Sequence, residues 1–464
     1  MRVETVSFLE VKSPGAHIFS KFPIPRLGSV LLSTILRNKG LTVRVFIENV
    51  AEPDWTFVEN SDLVCISTIT STAVRAYELA DSLRSRGSVV VMGGAHPTFM
   101  PEEALSHADY VVRGEGDETL PELIDSLRSG KPQLHSLPGV SFRDGSGGIV
   151  HTPPRPLLDA MDSLPTPDFS LVWGWKPANT YPISTSRGCP FNCKFCSVIQ
   201  LFGRRYRFRS VESALGEIRH AASVSRATLF FVDDNFTANR DRAKAILRGM
   251  IRDGIKTNWS AQVRTDIARD DELLRLMADS GCHTLYIGFE SVNPETLKLY
   301  EKKQSLGEII HCIRRVKEHG MHIHGMFVLG ADTDSVDTVR STEDFARSLS
   351  IDTIQFMILT PLPGTPVFIE MEREGRLLHT DWSKYDVHHV VFRPALMSLE
   401  ALQFETLKAM GRFYSWKYIL RHCAKFDFHY AAIGLYGHWA VRSALVRARA
   451  YIEDMSLVPH PYAC

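Results

Sequence analysis

Three cysteines, Cys189, Cys193 and Cys196, stand in the stretch SRGCPFNCKFCSV, separated by three residues and then by two. Three thiolates on one short loop can hold three irons of a four-iron cluster and leave the fourth iron open to a small ligand. A structural zinc site would instead require a fourth thiolate or imidazole at recognisable spacing, and the neighbouring sequence offers none. Cys282, Cys312 or a histidine would complete such a site only by long-range coincidence. Together with Cys65, Cys423 and Cys464, those two cysteines are scattered without a repeated spacing. That fits reduced thiols in a cytosol better than a disulfide framework.

The surrounding elements set where this loop would sit. From residue 179 the runs YPISTSRG, ATLFFVDDN, TNWSAQVR, TLYIGFES, HIHGMFVLG and IDTIQFMILTP alternate with helical periods such as RAKAILRGMIRDG. Six strands alternating with helices fall two short of a closed eightfold barrel, so the expectation for 179–375 is an open, partial (β/α)6 barrel. The cysteines directly follow its first strand, at the end where barrel enzymes gather catalytic loops. Residues 376–464 read as mainly helical, with MSLEALQFETLKAMGRFYSWKYILRHC expected as helix to beyond residue 420.

Ahead of the barrel, residues 1–135 alternate short β-branched runs (VETVSFLEV, LTVRVFIEN, LVCIST, SVVVMGG, YVVRGEG) with helical periods. The expected fold is α/β, a doubly wound parallel, Rossmann-like sheet whose ligands sit outside the strand carboxyl ends near the switch in strand order. The candidate loops are Pro14 and Gly15, Ser67 to Thr72 with Thr70 among them, Gly93-Gly94-Ala95-His96-Pro97, and Gly114 to Thr119 with Glu115 and Gly116. Small residues and hydroxyls there leave backbone amides open to a polar ligand, and the following helices present N–H groups to anions. A cofactor bearing phosphate or amide arms would suit this rim; the same glycines would also serve merely as tight βα turns. Residues 136–178 form the expected linker, with a small hairpin at FRDGSGGIV and the proline-punctuated stretch TPPRPLLDAMDSLPTPDF.

Composition narrows the class. At 464 residues the chain exceeds one ordinary core, and its 53 basic residues balance 53 acidic ones, so no global field draws it to nucleic acid or an anionic membrane. The N-terminal MRVETVSFLEV has charges inside its apolar run, unlike a signal peptide, and no uninterrupted apolar stretch of about 20 residues exists to span a bilayer. A cytoplasmic location and no nucleic-acid partner are expected.

The Cys189-x3-Cys193-x2-Cys196 spacing, with aromatic Phe195 before the last cysteine, resembles the radical S-adenosylmethionine (SAM) superfamily. The resemblance implies a [4Fe-4S] cluster whose open iron is chelated by SAM, and an electron from the cluster that cleaves the sulfonium to a 5′-deoxyadenosyl radical. It places Asp233 and Asp234, ending the second strand, where the family binds the SAM amine, and acceptor oxygens are what an ammonium requires; Asp233 could equally cap a helix before Ala238. Arg264 in QVRTD would meet the SAM carboxylate, Glu290 in IGFES the ribose hydroxyls, and Gly330 with Thr360 to Pro366 the adenine. Each could also be an ordinary polar group at the barrel rim.

PIPRLGSVLLSTILRNKGLTVRVF, GGAHPTFMPEEAL and YVVRGEGDETLPEL are similar to the cobalamin-binding module that precedes the barrel in one radical SAM subgroup. No Asp-x-His-x-x-Gly stretch occurs in the first 130 residues, and His17, His96 and His107 lack that context. The resemblance therefore implies cobalamin bound without a protein histidine ligand, with His96 a loop residue near the corrin.

The function implied is a cobalamin-dependent radical SAM methyltransferase acting on an unactivated carbon. One SAM would methylate cob(I)alamin and a second would supply the radical. Enzymes resembling the anaerobic magnesium-protoporphyrin ester cyclase offer oxidative ring closure as the alternative. A methylthiotransferase of tRNA lacks support here, having extra N-terminal cysteines and a C-terminal RNA-binding domain, and a pure cobalamin binder has no need of an oxygen-sensitive cluster. An electron donor such as flavodoxin or ferredoxin is implied. The run LFGRRYRFRS, similar to a segment in hopanoid methylases, sets Arg204, Arg205, Arg207 and Arg209 among aromatics. It would either hold phosphate or be a solvated loop paired with acids. The C-terminal FYSWKYILRHCAKFDFHYAAIGLYGHWAVRSALVRARAY would lie near a lipid-like substrate or pack as a helical cap. A hydrophobic or polycyclic small-molecule substrate is the expectation, with Tyr385, His388 and His389 reaching the barrel mouth or sitting at its surface.

Overall fold

The computed structural model describes residues 1–13 and 24–457, so Pro14, Gly15, His17 and Cys464 lie outside the described residues. The first sheet contains β1 (Thr5–Glu10), β2 (Thr42–Ile47), β3 (Leu63–Ser67), β4 (Val90–Gly93) and β5 (Tyr110–Val112), paired in parallel in the order β2-β1-β3-β4-β5. β1 and β3 are buried along almost their whole length, as parallel strands covered by helices on both faces must be. The order reverses between β1 and β3, which opens a crevice beyond their carboxyl ends.

The hairpin expected inside the linker is present as β6 (Val140–Arg143) and β7 (Ile149–His151), but it is an integral edge of this sheet. β6 pairs antiparallel with β5 and β7 with β6. The rest of the linker is packed as well. Val172 bridges to Val45 of β2, the Trp173 amide donates to the Val45 carbonyl at 2.8 Å, and Phe169 stacks 4.5 Å from Tyr181 of the next sheet. The connection thus fixes the first sheet against the second.

That second sheet has six parallel strands in the order β8 (Tyr181–Ile183), β11 (Leu229–Phe231), β12 (Trp259–Val263), β13 (Cys282–Glu290), β14 (His322–Leu329) and β15 (Thr353–Ile358). It is the open partial barrel read from the sequence. Two short strands, β9 (Ser186–Arg187) and β10 (Arg207–Phe208), pair antiparallel and pin the two ends of the cysteine loop together. Gly188 at this base has φ +85°, and a Cβ there would collide with the Arg205 carbonyl.

A sheet that does not close leaves two edge strands, here β8 and β15, and the second bears unpaired backbone groups toward the C-terminal region. The helical C-terminal region covers it. The Tyr414 hydroxyl accepts from the Ile354 amide and donates to the Ile354 carbonyl, each at 3.0 Å, and the Tyr418 hydroxyl donates to the Asp352 carbonyl at 2.6 Å. This anchoring interrupts the helix expected to run unbroken past residue 420. It consists of helices Leu399–Phe413 and Trp416–Ala424, with Tyr414 and Ser415 between them out of helical geometry. A long helix, Phe428–Leu457, packs on both.

Candidate active site

The cysteine loop is built as a tight turn: the Cys196 amide donates to the Cys193 carbonyl at 3.0 Å and the Cys189 amide to the Gly203 carbonyl at 3.2 Å. Cys193 is buried, and Cys189 and Cys196 are half-buried. Burial raises the Cys193 thiol and pushes Cys196 up to about 12, while Lys302 and Arg264 act the other way on Cys193. Such thiols give up their protons on binding metal. Among the described residues no group of three or more His, Cys, Asp and Glu is gathered for one metal ion. Three soft donors on one loop fit a multi-iron cluster, in which each sulfur binds its own iron, better than a structural zinc site, which takes four ligands.

The wall of the loop comes from four other segments. Arg264, beyond β12, lies with its guanidinium 3.6 Å from the centre of the Phe191 ring and donates to the Lys302 carbonyl at 3.0 Å. Phe195 meets the Tyr300 ring edge-on at 4.9 Å, and Asn192 donates to Glu301 at 3.1 Å. Glu290 ends β13 at a bulge in left-handed backbone, φ 63°, and its Oε1 accepts from the buried Lys302 ammonium at 2.6 Å. Tyr206 places its hydroxyl 3.8 Å from the Cys189 sulfur and 3.4 Å from Asn235 Nδ2. Tyr206 was noted in the sequence only as an aromatic of the arginine run, and Tyr300 and Lys302 were not singled out. The only local sign of the last two was the charged turn EKK after the helix Pro294–Leu299.

The two aspartates after β11 part company. Asp233 is buried, caps no helix and has both carboxylate oxygens occupied within the protein. It accepts from the Thr185 amide at 3.1 Å, from the Thr185 hydroxyl at 3.0 Å and from the Ser186 hydroxyl, stapling β11 to the start of the cysteine loop. Asp234 is exposed and lines a cavity instead, and no other side chain hydrogen-bonds its carboxylate among the described residues. Desolvation, reinforced by the Asp233 charge, pushes its carboxyl up to about 7.

That cavity, about 490 Å³, lies between the two sheets. Ser67, Gly93, Gly94, Glu115 and Gly116 line it from the first sheet; Ser184, Arg187 and Asp234 line it from the barrel. Gly94 has φ +101°, and a Cβ there would stand 2.5 Å from the Thr68 carbonyl oxygen, so only glycine lets these two loops meet and leave a bare rim. A broad, largely apolar crevice edged by bare backbone fits a flat macrocycle with amide arms. No histidine is among the residues lining it. His96 is fully buried away from it, edge-on to Trp382 at 5.1 Å.

Three expected binding residues have other duties. Glu115 accepts from Arg187 at 3.0 Å, from Arg207 at 2.7 and 2.8 Å, and from the Leu158 amide at 3.0 Å. Its carboxylate therefore clamps the corner of the first sheet to both strands that bracket the cysteines. Gly330, at φ +101°, is needed for packing: a Cβ would stand 2.6 Å from Leu402. Thr70 lies on a second cavity of about 260 Å³, which shares Ile69 and Ala95 with the first and is also lined by Ser197, Tyr385 and Asp386.

The arginine run carries no free phosphate site at most of its positions. Arg205 pairs with Asp159, Arg207 with Glu115 and Arg209 with Glu217, and Arg207 and Arg209 are buried rather than solvated. Tyr385 is buried with its hydroxyl on the His379 carbonyl at 2.6 Å, and His389 pairs with Asp386 at 3.0 Å.

Residues 183–346 match the Radical SAM superfamily and residues 19–124 the B12 binding domain. The chain is 33% identical over 414 residues to an uncharacterized methyltransferase of Pyrococcus horikoshii, covering 84% of this chain and 88% of that one. It is 31% identical over 368 residues to the bacteriochlorophyllide d C-12(1)-methyltransferase of Chlorobaculum tepidum, covering 78% and 76%. Its fold is similar to that of the radical SAM methyltransferase TsrM from Kitasatospora setae, solved with cobalamin and a [4Fe-4S] cluster. The TM-score is 0.67 at 20% identity, over 80% of this chain and 78% of that one.

Proposed function

Since this chain belongs to the B12-binding branch of the radical SAM superfamily, we propose that it methylates an unactivated carbon of an apolar, ring-containing small molecule. It is a cobalamin-dependent radical SAM enzyme whose cofactors are a [4Fe-4S] cluster, SAM and cobalamin. When bound, these supply a 5′-deoxyadenosyl radical to abstract hydrogen and a methyl group to replace it.

The observation that carries the proposal is the shared cavity, in which the bare rim of Ser67, Gly93, Gly94 and Gly116 is joined by Asp234 and by Arg187 and Phe202, which flank the cysteine loop. Cys189, Cys193 and Cys196 hold the cluster. Asp234 accepts the SAM ammonium, the role expected of the pair. Arg264, fixed over Phe191, presents its remaining N–H groups to the SAM carboxylate. Glu290, positioned by Lys302, stands ready for the ribose. The adjoining smaller cavity, with Ser197 next to Cys196 on one wall and Thr70 on the other, is the seat for the substrate carbon. Its wall of Leu362, Pro363 and Val387 favours an apolar skeleton.

The enzyme works in the cytoplasm with a flavodoxin- or ferredoxin-type electron donor. Anaerobic reconstitution with SAM, cobalamin and a reductant, followed by mass analysis of host metabolites, tests the reading. Gain of one methyl group supports it; loss of hydrogens without methyl gain would establish ring closure instead.

A further inference from the structure

The helix Phe428–Leu457 is apolar on two sides, and only one of them is packed. Its inner face is fixed by two glycines: a Cβ on Gly434 would stand 2.6 Å from the Tyr418 ring and one on Gly437 2.9 Å from the Tyr414 ring. The opposite stripe, at helical spacing, carries Phe428, Leu435, Trp439 and Val446, which are 64%, 51%, 64% and 74% exposed. The preceding segment continues it with exposed Trp416, Leu420 and Phe426. Trp416 meets His438 at a tilt, ring centres 5.5 Å apart, and Phe426 meets Phe428 at 6.3 Å, so the helices present one surface. Seven of the sixteen large exposed apolar residues among those described thus fall between 416 and 446. That concentration is unlike the scattered single residues of an ordinary surface.

The charge on this surface decides its partner. From 416 to 450 the sequence has six lysines and arginines and one acid, Asp427, which is already paired with His422 at 3.1 Å. Lys417, Lys425, Arg442 and Arg449 are exposed, and among the described residues no carboxylate pairs with them. A second copy of the chain would set this basic patch against itself, because a twofold contact is isologous and like charges would face each other. Aromatic side chains among unpaired cations instead match the interface of an anionic bilayer, where rings enter the headgroup level and arginines meet phosphates. No helix among the described residues is long and apolar enough to cross a membrane. We propose that this face docks the enzyme peripherally on an anionic lipid surface, with the helix lying in the interface plane.

Co-sedimentation of the whole protein with phosphatidylcholine vesicles, with and without phosphatidylglycerol, tests this. The protein should pellet with the anionic vesicles, be released by high salt, and show a blue shift of tryptophan emission as Trp416 and Trp439 leave water. Leu435→Glu with Trp439→Glu, and separately Arg442→Glu with Arg449→Glu, should each weaken binding by about tenfold or more, with corrinoid and iron content unchanged as the check on folding. Three outcomes overturn it: no pelleting with either vesicle, equal pelleting with both, or a wild-type dimer that Trp439→Glu splits into monomers. The last would assign the face to a second copy.

Discussion

Glu115 and Arg207 join through two hydrogen bonds, 2.7 and 2.8 Å, although 92 residues separate them, and their side chains are 6% and 2% exposed. Glu115 belongs to the rim of the first sheet and Arg207 to the strand that closes the cysteine loop, so this buried ion pair, with the contacts of Arg187 to Glu115 and Asp117, holds the two cofactor-bearing parts in register. Removing Arg207 leaves the buried Glu115 carboxylate with only Arg187 and the Leu158 amide to compensate it. Arg207→Met is expected to cost about 3–5 kcal/mol, read as a drop in thermal midpoint, together with loss of corrinoid on gel filtration. Arg207→Lys should not restore it, because an ammonium cannot reproduce the bidentate geometry. Glu115→Gln combined with Arg207→Met should recover part of the loss in a double-mutant cycle.

Cys196→Ala should leave the fold intact but abolish the iron–sulfur absorption and SAM cleavage together. Iron and sulfide analysis of the anaerobically prepared variant checks the first, and release of 5′-deoxyadenosine the second. Equal cleavage by wild type and variant would refute the catalytic cluster.

Asp234 gives a pH dependence with a definite sign. Its carboxyl, at about 7, is neutral below that pH and ionised above it. An acceptor for an ammonium must be ionised, so SAM affinity should rise as pH increases through about 7. Asp234→Asn should bind SAM about tenfold or more weakly at high pH and show a flat profile in calorimetric titration. Stability moves the opposite way. A raised carboxyl pKa contributes stability that is complete below the unfolded value and is lost as pH climbs through the folded one, so without ligand the Asn variant should overtake wild type in thermal midpoint above about pH 7.

Two glycines that look alike in the sequence should respond differently. Gly94→Ala strains a left-handed backbone and drives a Cβ into the Thr68 carbonyl; it should cost about 1–3 kcal/mol and, through the rim, corrinoid retention. Gly330→Ala meets only Leu402 and Phe392 side chains, so it should lower stability and leave SAM affinity unchanged. Titrations of the two variants with each ligand separate these outcomes.

The parts of this architecture that depend on local pattern were legible beforehand. The spacing of Cys189, Cys193 and Cys196 reflects one loop, and the alternation of strands and helices needs no distant partner. Asp234 was found together with Asp233, but period-two alternation at a strand end does not say which of two adjacent carboxylates turns inward. Glu115 was picked out for its loop; its commitment to Arg187 and Arg207 is a contact between remote segments. Lys302 escaped because a lysine's burial depends on the carboxylate that meets it, here Glu290 from another element. The hairpin at 140–151 was recognised, while its place in the first sheet follows from β5 having a free edge, a property of topology rather than of those residues.

The tyrosines that meet β15 bear on how the chain tolerates truncation. A protein cut before Tyr414 keeps all six barrel strands yet exposes a ready template for strand addition along Asp352 to Ile354. Edge-to-edge polymerisation is then the fate of that fragment. The helical tail works as a stopper on an unfinished cylinder.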